Sequence, residues 1–571
     1  MDVILARMLG SSRLLGVPLR AVALFGLAFS IAWGWSILDA RPGLTWEFVE
    51  YADTAREIAR GQGFSTHVSL ASSLAYYDDA GISPSGGTAP QLTRHPGFAC
   101  SLAAFFAVLG PGDGSMLLAL WCFFAAWIAG SYLLLRPLLG ERVSLATALL
   151  LAVNPVFARY FVAGGYAAFL FGLSALAFLV FSVRLLCADG PPPWRRFGLL
   201  GLLAAWCWLL RFNFSLFVVL FVLLALLSLP RGRPTALALA AFITAFVLGT
   251  LPFRVWQAVT FGTTQSPATW WNLLDGLTGG RPWMQYRTWG PADLLSDARI
   301  SRLLLRKLPH LGQLTLRQLP DLFHYTALMP LFFVSLLRQP EGREARLLLR
   351  FGTAALVAMA VVLAAFRYEL WFFDDPIGLL QLSARYFVWF APLAVGFALW
   401  ALFSLVQERP VWVRSAILVG VVLAQVAILA PYFSPSNRLY PGMAGGMAEE
   451  PIVAVLEELQ AGGVLPVEEL LSSNAAAHLA WYLDRATTAF PERLDELRPI
   501  LEKHPLAGFH FTHATIGEPH NLGQWRDLLA DPRRADAWFA EIGMAPVFRD
   551  ERDVIYLPVA RAEAFLERRS R

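Results

Sequence analysis

Apolar residues in this chain gather into long blocks near 17–38, 115–138, 143–162, 166–187, 197–211, 214–229, 235–255, 322–338, 350–367, 385–406 and 414–432. A helix that crosses a bilayer needs about 20 predominantly apolar residues. The pattern therefore predicts a mainly α, polytopic transmembrane bundle of about 11 spans. One further apolar run, Pro96 to Leu109, is short for a crossing and ends in GPGDG. It reads as a re-entrant or interfacial helix.

Polar stretches separate these blocks, and the first, 41–95, carries a pattern of its own. Phe48, Ala52, Ala55 and Ala59 recur at i, i+4, i+7 and i+11. That spacing predicts an amphipathic helix lying on the membrane, ended by Gly61 and Gly63. Glu47, Glu50, Tyr51 and Thr54 fall on a different face, so carboxylates point at whatever sits above it. Beyond 433 no apolar block follows. Runs such as PIVAVLEELQ, ELLSSN, RATTAFP, GFHFTHA, APVFRD and RDVIYLP alternate between helical and strand-like patterns. They predict a small C-terminal α/β domain over 434–571, after a membrane module over 1–433.

Arginines set the orientation. They cluster at the N-terminus and at Arg136/Arg142, Arg184/Arg195/Arg196, Arg231/Arg233, Arg338/Arg343/Arg346 and Arg409/Arg414. The positive-inside bias puts these loops and the N-terminus in the cytoplasm. The 41–95 loop, a 256–321 loop and the C-terminal domain are then expected outside. Arg7, Arg13 and Arg20 precede an apolar run that continues to about Leu38, which reads as a signal anchor.

Composition agrees. The chain is 57% hydrophobic and only 15% charged, which excludes an ordinary soluble domain of 571 residues. The net charge of +4 is scattered over short loops, so no nucleic-acid surface is expected. The four cysteines lie in or beside apolar runs, with no disulfide framework or zinc spacing. There is no P-loop or Rossmann fingerprint. An activated donor on the outer side would have to arrive attached to lipid.

Several groupings could carry chemistry. Glu47, Glu50 and Asp53 are the candidate catalytic carboxylates, suited to general-base work or, at Glu47, to a divalent cation. On residue types alone they better suit a solvated helix start favoured by the helix dipole. Arg94 and His95 stand before Pro96, where a helix begins. Trp270 and Trp271 in the outer loop suit either sugar stacking or interfacial anchoring. Arg299, Arg302 and Arg306 share a helical face that could hold lipid phosphate or meet anionic headgroups. Arg385 and Tyr386 open a late span, where an arginine either clamps a phosphate or snorkels. Arg211 and Arg159 are weaker cases of the same kind.

Taken in order, these pieces resemble the glycosyltransferase C superfamily, in its protein O-mannosyltransferase and aminoarabinose-transferase-like bacterial branch. The resemblance rests on Glu47, Tyr51, Ala55, Gly61 and Gly63 in the first outer loop. It rests further on Arg94-His95-Pro96, on Pro252, Phe253, Phe261 and Gly262, on Arg385-Tyr386, and on the tail segment Ser472 to Pro491. It implies a bacterial inner-membrane enzyme. Such an enzyme moves a monosaccharide from a polyprenyl-phosphate donor to a hydroxyl of a glycan, lipid or protein, with inversion. Glu47 would be the base or metal-binding carboxylate. Tyr51, Arg94, His95, Arg385, Tyr386, Arg299, Arg302, Arg306, Trp270 and Trp271 would bind substrate. The chain has glutamate where the family usually has aspartate, no carboxylate between Asn154 and Phe169, and Trp256-Gln257 where Arg-Asn is familiar. A non-catalytic relative that binds or assembles lipid-linked glycans is the alternative. A transporter would show paired halves and charges within spans; this chain shows no repeat and few such charges, so that reading is the less favoured one.

Overall fold

The computed structural model describes residues 13–14, 17–38, 46–84, 87–162, 167–263, 282–316, 328–367, 385–407, 409–433, 451–512 and 523–570. Its principal helices before the tail are α1 (Leu19–Leu38), α2 (Trp46–Ala59), α3 (Ala71–Ala80), α4 (Pro96–Leu109), α5 (Asp113–Leu139), α6 (Glu141–Ala152), α7 (Ala168–Cys187), α8 (Trp194–Leu210), α9 (Ser215–Ser228), α10 (Arg233–Phe261), α11 (Ala298–Lys307), α12 (Met329–Arg338), α13 (Arg343–Val362), α14 (Ala391–Val406) and α15 (Val411–Phe433). Six segments among the described residues are long and apolar enough to cross a membrane: α1, α5, α7, α10, α13 continued to Phe366, and α15 to Ala430. Shorter apolar helices, among them α4, α12 and α14, complete the bundle. The chain is a multi-pass membrane protein.

The expected span over 143–162 is interrupted. Helix α6 stops at Ala152, and a π-helical turn, Val156–Phe161, follows. Pro155 has no N–H to continue the ladder. The Asn154 carboxamide instead accepts the Val156 amide hydrogen at 2.9 Å.

Small residues let helices approach closely. A Cβ on Gly201 of α8 would stand 2.2 Å from the Phe242 carbonyl oxygen of α10. Without hydrophobic drive inside a bilayer, such backbone proximity supplies packing contact instead.

Helix α2 departs from the amphipathic expectation. Phe48, Ala52 and Ala55 are buried as predicted, but so are Glu50, Asp53, Thr54, Arg56 and Glu57 on the other faces, and Ala59 is exposed. The helix is enclosed because the tail packs over it. The tail contains α16 (Pro451–Ala461), α17 (Ala476–Leu483) and a six-stranded sheet. Two strands come from the 41–95 loop: β1 (Ser65–Thr66) is separate from this sheet, and β2 (Val68–Ser69) is its edge. A third short strand there, β3 (Ala89–Pro90), pairs antiparallel with β1. The tail adds β4 (Leu470–Ser473), β5 (Thr487–Ala489), β6 (Leu506–Thr512), β7 (Met544–Arg549) and β8 (Asp553–Pro558). Spatial order is β2-β5-β4-β6-β8-β7, parallel from β2 to β6 and antiparallel thereafter. All five tail strands fall where alternation predicted them. The edge strand from 41–95 was not expected: Val68 pairs with Thr487, and the Thr487 amide donates to the His67 carbonyl at 2.8 Å.

Candidate active site

Two separate polar clusters surround α2. The first lies between α2 and the chain entering α4. Pro96 occupies the first turn of α4, where its missing N–H costs nothing, and His95 is the extended residue before it. This sets Arg94 back over α2. Its Nη2 lies 2.8 Å from Glu50 Oε2, its Nη1 lies 3.9 Å from Glu47 Oε1, and its guanidinium lies 5.5 Å from the centroid of the Tyr51 ring. Thr93 donates its hydroxyl to Glu50. Gln91 donates to the Thr54 hydroxyl at 2.8 Å.

The two glutamates therefore differ. Burial raises the Glu50 pKa, and the charge of Arg94 only partly opposes this. Glu50 is wholly enclosed. Glu47 keeps 19% of its side chain exposed and can meet a ligand. Burial, with the Glu47 charge beside it, pushes Tyr51 up to about 12. Burial and the neighbouring Arg211 charge bring His95 down to about 3, so its imidazole is neutral.

Arg211 reaches this cluster from the other side. It stands where α8 ends, in extended conformation before a 3-10 turn. It is 7% exposed, and its guanidinium packs against the rings of Tyr386 at 5.3 Å and Phe171 at 5.7 Å. Its Nε and Nη2 have no hydrogen-bond partner among the described residues. A desolvated guanidinium with unused donors is costly unless an anion completes it. The sequence signal was a weaker form of that for Arg385, an arginine at the end of an apolar block.

Gly97 brings the halves together. A Cβ there would lie 2.9 Å from the Leu209 carbonyl carbon and 3.0 Å from its oxygen. Backbone cannot swing aside as a side chain can. We expect Gly97→Val to separate α4 from the end of α8 and to lower turnover roughly a hundredfold while the protein stays folded. Steady-state rates alongside thermal melting check this; unchanged turnover would show that the contact does not set the site.

The second cluster binds α2 to the tail. Asp53 receives the Thr66 hydroxyl and the His67 amide at 2.7 Å each, and Arg56 at 2.5 Å. Arg56 also donates to the Trp481 carbonyl at 2.7 Å and the Ala480 carbonyl at 3.1 Å. Burial alone would raise the Asp53 carboxyl, but the hydrogen bonds and charge of His67, with Arg56, hold it down to about 2. Asp53, expected beside Glu47, is thus engaged on another face of the helix.

The remaining expected residues divide. Tyr386 joins the site through Arg211. Arg385 lies in the same short turn, Arg385–Phe387, with its side chain outside the described residues. Helix α11 carries Arg299, Arg302 and Arg306. Arg302 and Arg306 are exposed, Arg302 donates to the Ala298 carbonyl of its own helix, and the Arg299 side chain is outside the described residues. No hydrogen bond or ion pair among the described residues ties α11 to the Glu47 cluster. Trp270 and Trp271 also lie outside them.

A divalent cation at Glu47 fits poorly, because Arg94 already puts a fixed positive charge beside both glutamates. Glu57, His67 and Asp484 do have metal-like spacing, with ligand atoms within 4.8 Å of one another. There Arg56 stands 3.0 Å from Asp484 Oδ1 and 3.5 Å from Glu57 Oε1, so these donors already serve an ion-pair network.

No family model matches the chain, and no curated protein matches it in sequence. Solved structures do match in shape. ArnT from Cupriavidus metallidurans bound to undecaprenyl phosphate aligns with TM-score 0.52 and 15% identity, over 95% of this chain and 98% of that one. The archaeal oligosaccharyltransferase AglB from Archaeoglobus fulgidus, with an inhibitory peptide and a dolichol-phosphate, aligns with TM-score 0.52 and 12% identity, over 86% of this chain and 69% of that one. AglB with Zn and sulfate aligns with TM-score 0.53 and 11% identity, over 86% and 68%. At such identities the likeness concerns the backbone. The bundle and the C-terminal α/β region that packs over α2 share the fold of these solved structures.

Proposed function

We propose that this protein is a membrane glycosyltransferase moving a monosaccharide from a polyprenyl-phosphate donor to an acceptor hydroxyl on the outer face. One observation carries the reading: the partly exposed carboxylate of Glu47 shares a cluster with Arg94 and with the buried guanidinium of Arg211, whose Nε and Nη2 have no hydrogen-bond partner among the described residues. The fold it shares with proteins crystallised on undecaprenyl and dolichol phosphates supports it.

In this mechanism Glu47 takes the proton of the acceptor hydroxyl as its oxygen attacks the anomeric carbon. The bond from that carbon to the phosphate oxygen breaks, and its electron pair leaves with the lipid phosphate. Direct displacement inverts the centre. Arg211 and Arg94 stabilise the charge developing on the phosphate, where donors in a water-poor site act most strongly. Neutral His95 is a further hydrogen-bonding group there. Glu50 holds Arg94 in place. Residues 434–571 form the outer domain, the N-terminus is cytoplasmic, and the acceptor is a glycan, lipid or protein.

The test is direct. Purified protein in lipid nanodiscs is mixed with polyprenyl-phosphate-linked mannose, galactose, arabinose or aminoarabinose and cell-envelope acceptors, and lipid products are followed by mass spectrometry. Release of free polyprenyl phosphate with a sugar gained by the acceptor is expected. Donors that bind without losing sugar would make the protein a lipid-glycan binder instead. Arg211→Met keeps the apolar stem between Phe171 and Tyr386 and removes the charge. It should weaken binding of sugar-free polyprenyl phosphate and slow transfer roughly a hundredfold.

A further inference from the structure

Gln257 is 2% exposed near the outer end of α10, and its Oε1 has no hydrogen-bond donor among the described residues. A buried carboxamide oxygen without a donor is disfavoured unless a bound molecule supplies one. Its surroundings point to which molecule. Gln257 follows Phe253 and precedes Phe261 at i, i+4, i+8, so the three share one helix face. Phe253 stacks on Phe212 at 5.8 Å, and Phe212 meets the edge of His95 at 4.1 Å. Phe253 also meets Phe64 at 5.7 Å, and the Phe64 carbonyl accepts the Gln91 amide hydrogen. Gln91 in turn is bonded to Thr93, the residue that donates to Glu50. The face bearing Gln257 is thus joined through aromatic rings to His95 and through the Gln91–Thr93 turn to Glu50.

We infer that Gln257 is a specificity-determining residue whose carboxamide oxygen accepts a hydrogen bond from a hydroxyl or amino group of the donor's sugar. This rests on the transferase reading above and adds to it a contact to the sugar as distinct from the phosphate. Aromatic rings beside a single hydrogen-bond acceptor are the surroundings that suit a sugar's apolar face and polar rim. An acceptor oxygen gives no attraction to a phosphate, so its effect should depend on the sugar alone.

The experiment compares affinities of wild type and Gln257→Leu, in nanodiscs, for bare polyprenyl phosphate and for the tightest-binding of the four sugar-linked lipids. Wild type should prefer the sugar-linked lipid, and Gln257→Leu should reduce that preference about tenfold with bare-lipid affinity unchanged. Removing an unsatisfied carbonyl should also leave the ligand-free Tm the same or higher. If Leu is not accommodated, Gln257→Met is read in the same way. Three results would each overturn the inference: a preference retained in the variant, bare-lipid affinity falling in step, or a lowered ligand-free Tm. A wild type with no preference for sugar would overturn it too. The transferase reading is judged separately, by sugar transfer and by Arg211→Met on bare lipid.

Discussion

Glu47→Gln should abolish sugar transfer, by roughly a thousandfold, while the protein remains folded and still binds polyprenyl phosphate. The substitution keeps the size of the side chain and removes only the ability to take a proton. Glu47 is the partly open member of its cluster, whereas Glu50 is enclosed beneath Arg94 and Thr93. The paired substitution separates their roles. Glu50→Gln leaves Arg94 without its 2.8 Å partner, so it should lower both Tm and turnover. Glu47→Gln should lower turnover with little change in Tm. Full turnover by Glu47→Gln would remove this residue from the mechanism, and equal melting losses in both variants would make the pair purely structural.

Arg56→Met should destabilise the protein by about 3–5 kcal/mol, the usual cost of leaving a buried partner charge unpaired. Arg56 is 4% exposed and Asp53 is fully buried. The substitution strips a cation from Asp53 and two donors from the backbone of α17. It should also loosen the tail from α2, which limited proteolysis would detect as earlier cutting between residues 434 and 571. A melt equal to wild type would show that the tail is held by other contacts. The sign of the pH dependence follows from the same network. The Asp53 pKa is depressed in the folded protein, to about 2 against 3.8 ordinarily. Its contribution is therefore present above the ordinary carboxylate range and is lost as pH falls from about 4 through 2. Asp53→Asn should flatten that acid limb of the stability profile.

Legibility in the sequence differed by residue. The Glu47–Tyr51 turn, Arg94 and His95 were readable as candidates because helical spacing and a proline-initiated helix are local rules, and Tyr386 because it opens an apolar block. Asp53 shared the same helix and the same chemistry, yet it faces the tail. A helix period assigns faces relative to one another but does not say what each face meets. Arg211 carried a signal no stronger than Arg159. Only packing shows that Gly97 brings it beside His95, and that its donors lack partners among the described residues.

Local pattern alone determined that this chain is a multi-pass helical protein with an α/β tail, because hydropathy and strand alternation are written into consecutive residues. Tertiary structure decided the rest. It buried α2 from Phe48 to Glu57, drew an edge strand from the 41–95 loop into the tail's sheet, and divided three nearby carboxylates between a candidate site and the network that ties α2 to the tail. Those outcomes depend on pairs more than 400 residues apart, such as His67 with Thr487 and Arg56 with Trp481. No periodicity within a short window encodes contacts of that range.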